Sequence, residues 1–301
     1  MPQLSASQEL QGHADFLLRM SVRKSTQEIY NRHIQEYTNF HQSKDLGRMF
    51  RLQSLRCYVA HLHQEGKAYS SILGRMSALK YFCRLKGQKN DLDNPTLLMT
   101  LRGVRNVTSL RTNNRSFSQV LSIRDLQKFN RIAATLFEPY RARLIQAIMV
   151  TAFFGFLRVS EYAKTKAGHT LLVEDCRVGR RQATLYIRTG KCDKNPVRIK
   201  LPAQKDKRVC LVSNLRRYLT VRPNSTAREL FVLSDGSPIG DNNVRGWLAK
   251  ICNSLNKEPF SPHALRIGGA SWAAAQGWPD SIIRAHGRWK SDAFLRYIKP
   301  L

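Results

Sequence analysis

The stretch HALRIGGASWAAAQGWPDSIIRAHGRWKSDAFLRYIK occupies residues 263–299 of a 301-residue chain. Its first part is rich in small and apolar residues, and the pattern predicts a helix over residues 263–275. His263 and Arg266 lie one turn apart at the start of that helix, and Tyr297 lies four residues before the C-terminus. A guanidinium, an imidazole and a phenol within one short stretch are candidate functional groups.

Two upstream segments supply further candidates. GFLRVSEY, at residues 155–162, follows a nearly continuous apolar helix that begins near Glu138, and it contains Arg158 and Glu161. TGKCDKNP, at residues 189–196, is rich in turn-forming residues and contains Lys191, with Lys194 as an alternative. This turn lies between two predicted strands, because apolar and polar residues alternate on both sides of it, with apolar positions Leu185, Ile187, Val197, Ile199 and Leu201.

The first hundred residues predict a domain of four or five helices. Capping-box spacing at Ser25 and Glu28 predicts a helix start, and Gly66 and Gly87 are plausible helix ends. Apolar residues recur at helical spacing at Tyr30, Ile34, Tyr37, Leu55, Tyr58, Val59, Leu62, Ile72, Met76 and Leu79.

A polar, basic segment without apolar periodicity, NVTSLRTNNRSFSQ, predicts a linker at residues 106–119. The predicted domains are therefore residues 1–105, which are helical, and residues 120–301, which are helical with a small β-sheet. Ser122 and Asp125 form a second capping box at the start of the second domain. After the two strands and a further linking stretch, helices are predicted again around residues 243–255 and 263–275.

The charge balance indicates a polyanionic partner. Lys and Arg total 50 against 21 Asp and Glu, which gives a formal net charge of +29. Nucleic acid is the favoured partner, because neutralising phosphates releases counterions; an anionic membrane surface is the alternative. The longest apolar run, residues 144–157, is shorter than the roughly 20 residues that span a bilayer, and residues 1–12 do not have the pattern of a secretory signal.

The six cysteines lie apart, without a C-x-x-C pair. This distribution argues against zinc ligation and against a disulfide scaffold, and it favours reduced thiols in an intracellular protein. The sequence therefore predicts no zinc site. We also expect no other metal, no cofactor and no small-molecule substrate.

Taken in order, these segments resemble the tyrosine recombinases, a family that includes phage integrases and recombinases of eukaryotic mobile elements. GFLRVSEY resembles the first arginine box, HALRIGGAS the H-x-x-R box, and HGRWKSDAFLRYIK the nucleophile segment. The form G-R-W-x-S is most like recombinases of DIRS-type retroelements or related elements. The resemblance implies a helical core-binding domain and an α+β catalytic domain that close on double-stranded DNA as a C-shaped clamp, and self-association into a dimer or tetramer.

The resemblance also implies roles for individual residues. Tyr297 would attack the scissile phosphate and form a 3′-phosphotyrosyl link, while Arg158 and Arg266 hold the non-bridging oxygens. Lys191 would protonate the leaving 5′-oxygen, and His263 would bind phosphate or assist deprotonation of the tyrosine. Glu161 would orient this cluster without reacting.

One position of the family pattern has two candidates. A His or Trp usually precedes the tyrosine by nine residues, and that count reaches Arg288 here, whereas counting forward from His263 reaches Trp289. We favour Trp289, because its indole N–H can donate to phosphate while the ring packs beside the nucleophile. Arg288 remains the competitor.

The expected activity is site-specific recombination for the integration or excision of a mobile element. We expect an intracellular protein, in the nucleus if the element is eukaryotic and otherwise in the cytoplasm or nucleoid. Two alternatives are a type IB topoisomerase, which would relax DNA with the same tyrosine chemistry, and a domesticated DNA-binding module that no longer cuts. Many relatives continue beyond the tyrosine with a helix that docks on a neighbouring subunit. This chain ends at Leu301, so we expect either a shortened sequence or assembly through other surfaces.

Overall fold

The computed structural model describes residues 6–112, 120–165, 170–188 and 195–300. The chain divides into two compact units between Phe117 and Ser118, within the predicted linker. Lys191 and Lys194 lie outside the described residues. Among the described residues, the helices are too short or too polar to cross a bilayer.

The N-terminal unit is built from helices, and its described part contains α1 (Ala6–Met20), α2 (Lys24–Gln42), α3 (Leu52–Gln64), α4 (Tyr69–Leu85) and α5 (Pro95–Thr112). The predicted apolar stripes of α3 and α4 are buried, and Tyr37 of α2 packs among them. Gly66 and Gly87 follow the ends of α3 and α4 with φ of +72° and +60°, a conformation that favours glycine. The predicted helical character and both helix ends are confirmed.

Two predictions for this unit were wrong in detail. Helix α2 begins at Lys24, and its N-cap Arg23 makes no side-chain capping bond, so Ser25 and Glu28 form no capping box. Helix α5 continues to Thr112 and so includes the first seven residues of the predicted linker. A helix that extends beyond the core needs no apolar stripe. The polar composition of residues 106–112 therefore did not indicate where α5 ends.

The C-terminal unit is mainly helical, with one small sheet. Its elements are α6 (Ile123–Leu136), α7 (Pro139–Phe154), α8 (Val159–Tyr162), β1 (Cys176–Val178), β2 (Gln182–Ile187), β3 (Val197–Pro202), α9 (Leu211–Val221), α10 (Asp241–Ser254), α11 (His263–Ala275) and α12 (Asp280–His286), with short 3-10 helices at Val173–Asp175 and Asp292–Arg296. The strands are antiparallel in the order β1-β2-β3, and Leu185 pairs with Ile199.

Most of the predicted elements of this unit are confirmed. Ser122 and Asp125 form the capping box of α6, and the two predicted strands and the helix from His263 to Ala275 are present. Helix α9 and strand β1 were missed. Helix α9 lies in the predicted linking stretch, although it buries Leu211, Leu215 and Tyr218 at helical spacing.

Helix α7 forms the centre of the unit, and its residues are buried almost without interruption from Leu144 to Phe154. Helix α11 packs closely against it. An ideal Cβ on Gly269 would lie 2.0 Å from the carbonyl oxygen of Phe153, so only glycine permits this approach. The contact brings the start of α11 beside the turn that follows α7.

Candidate active site

Arg158 lies at the end of the turn after α7. The chain leaves α7 at Gly155, passes through Phe156 with φ of +45°, and reaches Arg158, which is the N-cap of α8. The Arg158 main-chain N–H donates to Oε2 of Glu161 at 2.8 Å, and its Nη1 donates to Oε1 at 3.1 Å. Glu161 is buried, whereas one fifth of the Arg158 side chain is exposed. The carboxylate therefore fixes an arginine that solvent or a ligand reaches.

Arg266 is fully buried on the first turns of α11. Its Nη1 donates to the carbonyl oxygen of Phe156, and its Nη2 donates to that of Gly287 at 2.6 Å. The guanidinium carbon lies 4.1 Å from the centre of the Trp289 ring. Arg266 thus ties α11 to both the turn after α7 and the segment after α12.

Burial lowers the pKa of Arg266, and the neighbouring charges of Arg158 and Arg288 lower it further. A guanidinium nevertheless stays protonated at neutral pH. Within the described part of the chain, Nε of Arg266 is buried and has no hydrogen-bond partner. An unpaired buried donor is costly, so this geometry favours an acceptor that arrives with a ligand.

Arg288 is also buried, but it points to internal partners. Its Nη1 donates to the carbonyl oxygen of His286 at 2.8 Å, and its Nη2 donates to that of Phe156 at 3.0 Å and to Oε2 of Glu161 at 2.8 Å. Burial lowers the pKa of Arg288, and the Glu161 carboxylate opposes this effect. Arg288 adopts a φ of +58°, a left-handed turn that separates the direction of its side chain from that of Trp289.

Three aromatic rings meet where the chain ends its last 3-10 helix. The Tyr297 ring centre lies 5.0 Å from that of Trp289 and 5.2 Å from that of His263, which meets it edge to face. Tyr297 is half-buried and His263 is exposed. The indole Nε1 of Trp289 is buried without a partner among the described residues. Trp289 thus offers a second free donor beside the tyrosine.

The charges around this cluster favour an anion. Among the residues that the structure describes, the cations of Arg158, Arg266 and Arg288 are close to one carboxylate, that of Glu161. Burial lowers the pKa of His263, and the charges of Arg266 and Arg158 lower it further. The imidazole is therefore neutral at pH 7 and can accept a proton or a hydrogen bond.

The described structure brings together seven of the eight sequence candidates, namely Arg158, Glu161, His263, Arg266, Arg288, Trp289 and Tyr297. Sequence reasoning missed two residues that support them. An ideal Cβ on Gly287 would fall 1.5 Å from an atom of the Trp289 ring, so glycine makes room for the indole. Ser271, within the motif already quoted, bonds to the main chain of Tyr297.

Comparison with family models gives two matches. Residues 119–298 match the phage integrase family, and residues 13–90 match its N-terminal SAM-like domain. The chain belongs to the phage integrase family. The members of this family are the tyrosine recombinases, as the motifs indicate. Among curated proteins, no match was found for this integrase sequence.

Solved structures similar to this integrase share its fold at low sequence identity. The Tn1549 transposon integrase in complex with circular intermediate DNA has a TM-score of 0.65 and 16% identity, over 94% of this chain and 92% of that one. The XerH recombinase bound to palindromic difH substrate, a post-cleavage complex, has a TM-score of 0.65 and 16% identity, over 92% and 76%. A lambda integrase dimer bound to a COC′ core site has a TM-score of 0.64 and 14% identity, over 98% and 77%. The mainly helical fold with a small sheet is therefore that of the tyrosine recombinases.

Proposed function

We propose that this protein is a site-specific DNA recombinase that cleaves and rejoins DNA through a covalent link to Tyr297. The observation that carries the proposal is the contact of the Tyr297 ring with Trp289 and His263, directly beside the guanidinium of Arg266. A phenol next to a cluster of three guanidinium groups and one carboxylate suits attack on a phosphodiester, because the excess of cations stabilises the charge that develops on the phosphoryl oxygens.

In the proposed reaction the Tyr297 oxygen bonds to phosphorus while the bond from phosphorus to the 5′-oxygen breaks. Arg158 and Arg266 bind the non-bridging oxygens, and His263 binds phosphate or takes the phenol proton. Lys191, which lies outside the described residues, would give a proton to the departing 5′-oxygen. Attack by another 5′-hydroxyl reverses these steps and rejoins the DNA.

We assign the position before the tyrosine to Trp289 and give Arg288 a supporting role. The indole N–H has no partner in the described part of the chain and belongs to a ring that packs beside Tyr297, which supports a bond from Trp289 to phosphate. The guanidinium of Arg288 already donates to four internal acceptors, the carbonyl oxygens of Gly155, Phe156 and His286 and the carboxylate of Glu161. Arg288 would thus share with Glu161 the task of orienting Arg158.

We further propose that the partner is double-stranded DNA and that two or four copies act together on it. The DNA complexes of the Tn1549 and lambda integrases support DNA as the partner, and the lambda dimer supports self-association. The G-R-W-x-S form supports a eukaryotic mobile element of DIRS type, and thus action in the nucleus.

The decisive experiment traps the covalent intermediate. Because the natural site is unknown, a library of nicked duplexes that lose a short 5′-hydroxyl strand after cleavage is incubated with the protein, and covalently bound DNA is recovered and sequenced. We expect an adduct that maps to Tyr297 by peptide mass spectrometry and is lost in Tyr297→Phe, with DNA affinity retained. An adduct that persists in Tyr297→Phe would overturn the assignment of the nucleophile.

The same preparation separates the proposed activity from its alternatives. Rejoining between two different duplexes indicates recombination. Relaxation of plasmids without exchange would indicate a topoisomerase, and DNA binding without any adduct would indicate a DNA-binding module. Either of the last two results would contradict the proposed function.

A further inference from the structure

Ser271 connects α11 to the main chain around Tyr297. It lies on α11 eight residues after His263 and is 1% exposed. Its Oγ donates to the carbonyl oxygen of Tyr297 at 3.0 Å and accepts from the N–H of Lys299 at 3.0 Å. One hydroxyl thus bonds to the chain on both sides of Ile298.

These bonds restrain the segment where regular structure ends. The N–H of Tyr297 donates to the carbonyl oxygen of Phe294 at 2.8 Å, the last such bond of the 3-10 helix. Ser271 binds the carbonyl on the other side of the same residue, so the main chain of Tyr297 is held in both directions. Phe294 is buried in a small apolar cluster with Ala270 and Ala273 of α11, and this packing keeps the segment against the helix.

The same helix also carries the groups that meet the Tyr297 side chain. His263 packs edge to face on the phenol ring, and the guanidinium of Arg266 lies 5.5 Å from its centre. A shift of the Tyr297 main chain would therefore change its position relative to both groups. Small displacements of a nucleophile reduce rates strongly, because attack requires close and aligned atoms.

We propose that Ser271 is a positioning residue, which fixes Tyr297 to α11 so that a chain presents its own tyrosine to its own arginines. This inference rests on the proposed function, since it takes Tyr297 as the nucleophile. The serine does not touch the DNA and acts only through the tyrosine main chain. Its loss slows cleavage and leaves DNA binding unchanged.

The test compares Ser271→Ala, Ser271→Thr and the control Ser254→Ala. The Ser254 hydroxyl donates to the carbonyl oxygen of Ile251 in its own helix α10, so this control removes a hydroxyl with a local bond elsewhere in the unit. Adduct formation is followed in single turnover at saturating DNA, on the sequence recovered by trapping. We expect adduct formation by Ser271→Ala to be about tenfold slower than by the wild type. The reason is that two hydrogen bonds that hold the nucleophile in position for attack are lost. We expect Ser254→Ala to match the wild type and Ser271→Thr to recover most of the rate.

A substrate with sulfur in place of the bridging 5′-oxygen distinguishes placement of the nucleophile from help to the leaving group. A thiolate leaves without a proton donor, so this substrate rescues defects in general acid catalysis. It should not rescue Ser271→Ala. Rescue by sulfur, a wild-type rate for Ser271→Ala, or a parallel loss of DNA affinity would each overturn the proposal.

Hydrogen exchange gives a readout that does not depend on activity. The amide of Lys299 should exchange faster in Ser271→Ala than in the wild type and Ser254→Ala, because its acceptor is gone. Equal exchange in all three proteins would overturn the anchoring role even if cleavage were slow. Faster exchange with no adduct in the wild type would instead refute the proposed function and leave the anchor intact.

Discussion

At the scale of single residues, the neighbouring side chains of Arg288 and Trp289 point to different surroundings. The positive φ of Arg288 turns its guanidinium towards Glu161 and the carbonyls after α7, whereas Trp289 covers Arg266 and contacts Tyr297. Arg288 thus bonds to buried groups, whereas Trp289 faces the candidate site. The buried cation compensates a buried carboxylate that would otherwise hold only Arg158.

This geometry predicts that Arg288→Met destabilises the C-terminal unit. The variant leaves four acceptors without their cation, namely three main-chain carbonyl oxygens and the Glu161 carboxylate. Removal of one partner from a buried ion pair costs about 3 kcal/mol. All four tryptophans lie in this unit, so urea unfolding followed by tryptophan fluorescence reports on it alone. The free energy of unfolding should fall by that amount.

Arg284→Ala is the matched control for Arg288→Met. Arg284 is about half exposed, and its nearest carboxylate oxygen, on Asp292, lies 3.6 Å away. Exposed pairs of this kind contribute about 0 to 1 kcal/mol. Equal losses in both variants would show that the internal bonds of Arg288 contribute no more than a surface pair.

At the scale of secondary structure, the packing of α11 against α7 decides where Arg266 lies. The glycine pair in HALRIGGAS permits close packing on two sides. An ideal Cβ on Gly269 would lie 2.0 Å from the carbonyl oxygen of Phe153 in α7, and one on Gly268 would lie 2.1 Å from that of Leu121, just before α6. These oxygens belong to the main chain, which cannot move aside as a side chain can. The helix that carries the H-x-x-R motif therefore lies closer to α7 and to the chain before α6 than residues with a Cβ would allow at these two positions.

We predict that Gly269→Ala and Gly246→Ala change stability in opposite directions. Both glycines lie inside helices, but a Cβ on Gly246 of α10 meets nothing within 4 Å. Gly246→Ala should stabilise the unit by about 0.5 to 1 kcal/mol, because alanine is the better helix former. Gly269→Ala should destabilise it by about 1 to 3 kcal/mol through overpacking. The same fluorescence-detected unfolding measures both, and stabilisation by Gly269→Ala would contradict the close approach.

Periodicity and residue type were sufficient to predict much of this unit. The helix from His263 to Ala275 and strands β2 and β3 follow from alternation and spacing. Spacing could not decide which of Arg288 and Trp289 faces the candidate site, because the direction of each side chain depends on the backbone turn at Arg288. The role of Ser271 could not be predicted from the sequence either, since its partners are main-chain atoms of residues 26 and 28 positions further along the chain.

At the scale of the whole molecule, positive charge is distributed over both units. Residues 1–117 contain 18 Lys and Arg against 8 Asp and Glu, and residues 118–301 contain 32 against 13. Part of this charge is neutralised internally, as in the pairs of Arg75 with Glu36 and Lys80 with Asp93. Each unit nevertheless keeps a clear excess of cations, which suits contacts to phosphates by both.

A steep salt dependence of DNA binding follows from this distribution. A protein that contacts 6 to 10 phosphates loses about three to five orders of magnitude in affinity between 50 and 200 mM salt, with a slope of about −0.9 per phosphate in a double-logarithmic plot. We expect this range for the full chain on duplex DNA, measured by fluorescence anisotropy. A slope shallower than about −3 would contradict DNA contacts from both units.

Variants of two arginines relate the salt slope to the candidate site. On the trapped target sequence, Arg158→Gln should reduce the magnitude of the slope by about 0.9, because this partly exposed cation is proposed to bind the scissile phosphate. Arg288→Met should leave the slope unchanged, since its cation is committed to internal acceptors and releases no counterion from DNA. Both variants remove one positive charge from the same unit, so the comparison isolates contact from general electrostatic attraction. Equal changes in slope would mean that Arg158 acts at a distance and not as a phosphate ligand.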